Sequence, residues 1–288
     1  MPELPEVETI ARALEAQLSG RTIVRSEVRW PRAIACPSAD DFARQIRGRR
    51  VRSISRRGKF LVFALDHGFL LAHLRMTGRL LLCDAAHQED CATPFNDAHT
   101  HVYLYLDGDK ILRFRDVRKF GRLYLVEDPA QVLGELGLEP LEPTFTVAAL
   151  GELLRGSRRL LKPFLLDQRR LAGLGNIYAD EALWRAGLHP LRRSDGLSVA
   201  EVARLHAAIQ DVLREALAHG GTTLRDYRSA DDAPGRHQWS LAVYGREGQP
   251  CPRCGEAIVR MVVQQRSSYY CPRCQPAAHA AHEGCGGQ

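Results

Sequence analysis

Val7, Ile10, Leu14 and Leu18 recur at helical spacing, with Pro5 in the first turn and Gly20 just past the last apolar position. The pattern predicts an amphipathic helix over 5–18. From about residue 59 the period shortens to two. The runs Lys59–Leu65, Phe69–Arg75, Arg79–Cys83, His101–Asp107, Asp109–Phe114 and Gly121–Val126 read as strands. In the fourth, Val102, Leu104 and Leu106 alternate with His101, Tyr103 and Tyr105 before Asp107-Gly108 supplies a hairpin turn. Residues 1–131 therefore read as a β domain fronted by one helix.

Glu135–Pro143, rich in Pro and Glu, reads as a linker after which helical signals take over, so 132–225 is drawn as a helical domain that includes it. Ser198 with Glu201 three residues on makes a capping box for apolar positions Val202, Leu205, Ile209, Val212 and Ala216, and Gly220-Gly221 ends the helix. Upstream, the glycines between Leu171 and Gly187 predict a tight turn, with Asn176 as the cap of a second helix. Such a helix start presents unpaired N–H groups to an anion, although a plain helical hairpin fits the same residues. Residues 226–242 are polar and aperiodic, a long loop; residues 277–288 read as a tail.

The 288 residues suffice for two domains with cores of their own, and 45% hydrophobic with 26% charged residues excludes a disordered chain. No apolar run approaches the roughly 18 residues of a membrane-spanning helix, and the start is acidic where a signal peptide would be basic. A cytoplasmic protein is expected. The net charge of +6 is modest but uneven. Eight basic residues and no acidic one lie between Phe42 and Leu65, and further basic runs span Arg113–Arg122, Arg155–Arg170 and residues 253–273. Together they point to a phosphate-binding surface.

Cys251-Pro-Arg-Cys254 and Cys271-Pro-Arg-Cys274, sixteen residues apart over 243–276, have the spacing of a four-thiolate zinc ribbon, with β runs at Ile258–Val263 and Ser267–Tyr270 between them. Two disulfides or a redox pair fit the spacing too, but a reducing compartment favours zinc. Four protein ligands leave no open position, so such an ion is structural. Cys36, Cys83, Cys91 and Cys285 lack partners at metal spacing.

Met1 precedes Pro2, a residue that normally permits removal of the initiator methionine. An α-amino group titrates near about 7.7–8.0, against about 10.4 for lysine, so a Pro2 amine freed by that removal would be partly neutral and nucleophilic. Glu3 and Glu6 place carboxylates beside it, available for proton transfer or simply favouring the first turn of a helix.

Taken together, Met1–Thr9, Arg57-Gly-Lys59, His73–Gly78, Asp116–Gly121, Gly173–Glu181, Gly220–Thr223, Val243–Arg246 and the four-cysteine ribbon resemble, in order, the Fpg/Nei family of DNA glycosylases. Leu4 is similar to the formamidopyrimidine-DNA glycosylase branch, since the endonuclease VIII branch usually has Gly there. The resemblance implies an α+β multidomain protein with an N-terminal β-sandwich and helix, a helix-two-turn-helix domain, a lesion-capping loop and a ribbon holding one structural Zn2+. It implies a monomeric, bifunctional glycosylase and AP lyase that removes 8-oxoguanine and formamidopyrimidines from double-stranded DNA at the bacterial nucleoid.

By the same resemblance Pro2 would attack C1′, and the iminium formed would ease β- and then δ-elimination. Glu3 would move protons at the sugar, Glu6 would support it, and Lys59 and Arg266 would hold phosphates and assist elimination. Asn176, His99 and Arg158, or neighbouring Lys162, would contact DNA. Met76, Arg118 and Phe120 would fill the gap left by the everted nucleotide. The sequence departs from the family pattern at Val117, at Lys119 and at Arg236-His-Gln-Trp239 after Pro234-Gly235. Within the same fold, a preference for oxidised pyrimidines or hydantoins is the alternative, and a zinc-containing DNA-binding protein without catalysis would not need Pro2, Glu3 and Lys59.

Overall fold

The computed structural model describes residues 1–84, 97–223 and 234–277. They form two compact units, one of residues 1–137 and 214–240, the other of 138–213 and the chain from Leu241 onward. Each unit is assembled from two stretches of chain, which a division into consecutive segments does not anticipate.

The first unit opens with α1 (Leu4–Leu18), whose predicted stripe of Val7, Ile10, Leu14 and Leu18 is buried. The six predicted strands form, with ends shifted by a residue or two: β4 (Phe60–Leu65), β5 (Phe69–His73), β6 (Gly78–Asp84), β7 (Thr100–Leu106), β8 (Lys110–Asp116) and β9 (Arg122–Val126). Sequence periodicity misses three more, β1 (Ile23–Val28), β2 (Ile34–Cys36) and β3 (Val51–Arg57), and the helix α2 (Ala39–Ile46). In β3, Val-Arg-Ser-Ile-Ser-Arg-Arg, only Val51 and Ile54 are buried, so the basic run hides the strand.

The strands make a four-stranded sheet, β1-β7-β8-β6, and a five-stranded one, β2-β9-β5-β4-β3. All neighbours are antiparallel except β2 and β9. Phe63, Leu70, Ala72 and Leu123 of the larger sheet face Leu80, Val102, Leu104, Leu112 and Phe114 of the smaller. This is the inner layer of a β-sandwich, in which alternate residues of each sheet meet across the core. The stripe of α1, with Phe42 and Ile46 of α2, joins the same apolar cluster.

The second unit is helical, with α3 (Ala130–Leu133) preceding it in the chain and α4 (Val147–Arg155), α5 (Leu161–Leu166) and α6 (Asn176–Ala186) within it. The long helix α7 (Val199–Ala218) starts here, and its turns from Arg214 group with the first unit. Its capping box is present, Ser198 N–H donating to Glu201 Oε2 at 2.8 Å and Glu201 N–H to Ser198 Oγ at 3.3 Å. The cap of α6 is Gly175, not Asn176, which is the first helical residue and turns its amide elsewhere. The expected linker is not slack: Leu138 N–H donates to Arg170 O at 3.0 Å and Leu138 O accepts from Ala172 at 2.8 Å. The ribbon hairpin pairs β10 (Val259–Val263) with β11 (Arg266–Tyr270) through a turn at Gln264 and Gln265, both at positive φ.

Of the expected loop over 226–242, residues 226–233 lie outside the described residues, as do residues 278–288 of the tail. Among the described residues no helix is long and apolar enough to cross a membrane. Since Leu14 is fully enclosed, Leu14→Ala is expected to cost about 2–5 kcal/mol in urea unfolding, the range for a truncated core leucine.

Candidate active site and metal centre

Pro2 and Glu3 are buried at the start of α1, and Met1 is exposed. Two backbone contacts hold this start in place through one carboxylate. Glu6 Oε2 accepts the Glu3 N–H at 2.7 Å, and Glu6 Oε1 accepts the Thr222 N–H at 2.8 Å. The Gly220–Thr223 motif is thereby tied to the chain terminus. Lys59 is buried directly after Gly58, whose φ of 57° turns the chain from β3 into β4.

His73 ends β5 opposite Phe60, the residue after Lys59, and its ring meets the Phe60 ring edge-on at 4.5 Å. Burial pushes His73 down to about 3, with the charges of Arg75 and Lys59 adding to the shift. Its Nδ1 accepts the Arg75 N–H at 3.0 Å. An uncharged imidazole therefore sits near two cations. Nothing in the sequence signals this state, because a lone His in an apolar strand is ordinarily core.

Two loops present the exposed residues of the gap-filling set. Asp116 is fully buried at the end of β8. Its Oδ1 pairs with the Thr77 hydroxyl and accepts the Arg118 N–H at 3.1 Å, while Oδ2 accepts the Gly121 N–H at 2.6 Å. One carboxylate thus fixes both the 74–78 and the 116–121 turns. Out of them project Met76, 38% exposed, and Phe120, 46% exposed, with the Arg118 guanidinium 4.7 Å over the Phe120 ring. Lys119, where the sequence departs from the family pattern, takes a positive φ of 59°. Gly121 is required sterically, because a Cβ there would come within 2.6 Å of Phe114 Cζ. His99 is half-buried behind this turn, its carbonyl accepting the Asp116 N–H at 2.9 Å.

In the second unit Glu181 accepts three backbone N–H groups, from Ala242, Val243 and Tyr244, at 2.8, 2.9 and 2.8 Å. Burial raises its pKa while those three donors oppose the rise. Asn176 Nδ2 and Lys162 Nζ both donate to Ser267 O in the ribbon hairpin, at 3.0 and 2.7 Å. Lys162 also pairs with Asp180 at 2.7 Å, the two being 0% and 1% exposed. Burial pushes the Asp180 carboxyl up to about 7 against the pull of that ammonium. Lys162 is thus a buried tie between helices and ribbon, so the expectation that it stands in for Arg158 on a surface is corrected; Arg158 is exposed. Arg266 is exposed at the first position of β11.

The four ribbon cysteines converge, with Sγ separations of 3.9 Å (Cys251 to Cys274), 3.5 Å (Cys254 to Cys271) and 3.4 Å (Cys254 to Cys274). Four thiolates about 2.3 Å from one tetrahedral zinc lie about 3.8 Å apart, so the set fits the ion. Trp184 Nε1 donates to Cys251 Sγ at 3.4 Å, the kind of outer contact that orients a ligand. Much of the basic run over 44–59 serves the fold: Arg44 pairs with Asp41, Arg49 with Glu127 and Arg56 with Glu8, and Arg57 donates to Leu136 O and Gly137 O. Charge density along the chain overstated the free positive surface.

Three family models match: the formamidopyrimidine-DNA glycosylase N-terminal domain over residues 1–123, the formamidopyrimidine-DNA glycosylase H2TH domain over 136–228, and a zinc finger found in FPG and IleRS over 248–277. A formamidopyrimidine-DNA glycosylase of Roseiflexus sp. (strain RS-1) is 50% identical over 279 residues, covering 96% of this chain and all of that one. The crystal structure of the MutM (Fpg) protein from Thermus thermophilus is 43% identical with a TM-score of 0.84, over 95% of this chain and 98% of that one. A Lactococcus lactis FPG variant in complex with Fapy-dG containing DNA is 37% identical with a TM-score of 0.87, over 96% of this chain and all of that one.

Two outcomes test this geometry. Below the ordinary histidine pKa of about 6.5 the unfolded chain takes up a proton that buried His73 refuses, so stability is full above that pH and falls as the pH drops toward 3. Melting curves from pH 7.5 to 5 should show a smaller loss for His73→Gln than for the unaltered protein. Lys162→Met should destabilise by about 3–5 kcal/mol in denaturant titrations, as removal of one partner of a buried pair does, and adding Asp180→Asn should restore part of it.

Proposed function

Since the chain belongs to the formamidopyrimidine-DNA glycosylase family, we propose that Pro2, Glu3 and Lys59 are its reacting groups. The enzyme excises oxidised purines, formamidopyrimidines among them, from double-stranded DNA. In the proposed chemistry Met1 is first removed, because an acylated Pro2 nitrogen has no lone pair to give. The Pro2 amine attacks C1′ of the damaged nucleotide, the base departs, and the iminium that remains acts as the electron sink for elimination of the flanking phosphates. Glu3, beside Pro2, transfers protons at the opened sugar. Lys59 and Arg266 neutralise phosphate charge, with Asn176, His99 and Arg158 as further phosphate contacts.

The observation that carries this reading is the anchoring of the chain terminus. Glu6 holds the Glu3 N–H and Thr222 N–H together, so Pro2 and Glu3 occupy one place rather than a fraying end. Positioning of this kind converts an encounter into a local reaction. Met76, Arg118 and Phe120 suit the space vacated when the nucleotide leaves the stack, two apolar side chains and one donor on turns braced by a shared carboxylate. The zinc held by Cys251, Cys254, Cys271 and Cys274 is structural and takes no part in a chemical step. A monomer acting on the bacterial nucleoid completes the proposal.

Borohydride reduction on duplexes containing 8-oxoguanine tests the covalent step. A protein–DNA adduct is expected, diminished at least tenfold in Pro2→Gly; an undiminished adduct would assign the nucleophile elsewhere. Mass spectrometry of the active protein should show a chain beginning at Pro2. Release of thymine glycol faster than 8-oxoguanine from matched duplexes would overturn the purine preference. Chelation of zinc should abolish DNA binding while limited proteolysis still finds the β-sandwich intact.

A further inference from the structure

Glu215, His219 and His237 bring one carboxylate oxygen and two imidazole nitrogens within 4.8 Å of one another. From this cluster we infer that the protein has a second metal site, distinct from the ribbon, for a divalent transition ion of the zinc class. Glu215 and His219 are four residues apart on the face of one chain segment, Glu215 within α7 and His219 directly after its last residue. His237 comes from the short 3-10 turn His237–Trp239 and is buried. All three belong to the first unit.

The separation of the imidazoles fits a shared ion. His219 Nδ1 and His237 Nδ1 lie 3.1 Å apart. Two nitrogens about 2.0–2.1 Å from one ion lie about 3.3 Å apart in a tetrahedral shell, and two imidazoles with one carboxylate are a recurrent zinc ligand set. Ser240 Oγ, 3.5 Å from His219 Nδ1, adds an oxygen beside the imidazole pair.

Backbone hydrogen bonds tie the segment that carries His237 to the chain just beyond α7. Arg236 N–H donates to His219 O at 3.0 Å, His237 N–H to Gly221 O at 3.0 Å, and Gly235 N–H to Thr223 Oγ1 at 2.9 Å. Only glycine fits at 235, since a Cβ there would lie 2.2 Å from Gly221 O. The ion would clamp residues 234–240 to the end of α7. This is the segment where Arg236-His-Gln-Trp239 departs from the family pattern, and it supplies the ligand His237.

The full-length protein with its ribbon zinc retained is equilibrated with micromolar Zn2+, desalted and assayed for metal per chain. Two equivalents are expected, falling to one in His219→Asn and in Glu215→Gln; the equivalent that remains reports an intact ribbon. His279, His282 and Cys285 offer other donors, so the double variant H279N/H282N should still hold two. Co2+ added to the protein should give weak d–d bands without thiolate-to-metal charge transfer, and these should vanish in His219→Asn. One equivalent in the unaltered protein would mean that the imidazoles share a proton and nothing more. A second equivalent that survives His219→Asn, or disappears in H279N/H282N, would overturn the assignment as well.

Discussion

Buried carboxylates that collect backbone N–H groups from distant stretches of chain are the constraint on which the functional surfaces depend. A carboxylate out of water is costly unless its oxygens are hydrogen-bonded, so each such group dictates where its donors must lie. Glu6 fixes the chain terminus against Thr222, Asp116 fixes two exposed turns, and Glu181 fixes the segment that leads into the ribbon. Charge-assisted bonds of this kind are shorter and stronger than neutral ones. The residues proposed to perform chemistry are neighbours of these anchors rather than the anchors themselves.

The same logic explains the pairing of motifs that are far apart in the sequence. Glu6 and Gly220–Thr223 are separated by more than two hundred positions yet joined by one bond. The segment that ends in Glu181 meets the Val243–Arg246 motif through that residue's two oxygens, and Lys162 and Asn176 meet on one carbonyl of the ribbon hairpin. The ribbon is therefore more than a bead on the end of the chain. A zinc on the four cysteines would fix the base of its hairpin, and the hairpin supplies the carbonyl on which two helical side chains converge.

Strands with strict alternation, the stripe of α1, the capping box of α7 and the cysteine spacing were legible in the sequence because each rests on contacts a few residues apart. β1 and β3 were not, because charged residues on their outer faces broke the alternation; β1 is a strand through pairing with the remote β7, and β3 through its hairpin with β4. Asn176 was misplaced as a cap since nothing local shows that its amide reaches Ser267. The basic runs pointed to DNA correctly but not to which cations stay free: some partners within the run over 44–59, Glu8 and Glu127, are remote in sequence, so that neutralisation is invisible until the fold brings them together. Pro2 and Glu3 were legible from the chemistry of the chain start and Lys59 from family pattern; what neither shows is that burial keeps His73 uncharged close to Lys59.

The exposed thioether at the tip of the 74–78 turn has a further consequence. Reactive oxygen species that convert guanine to 8-oxoguanine also convert methionine to its sulfoxide, a polar and chiral group. In Met76 the side chain proposed to wedge into stacked bases stands open to the agent that generates the substrate. Repair capacity in a cell under oxidative stress would then rest partly on the reductases that return methionine sulfoxide to methionine.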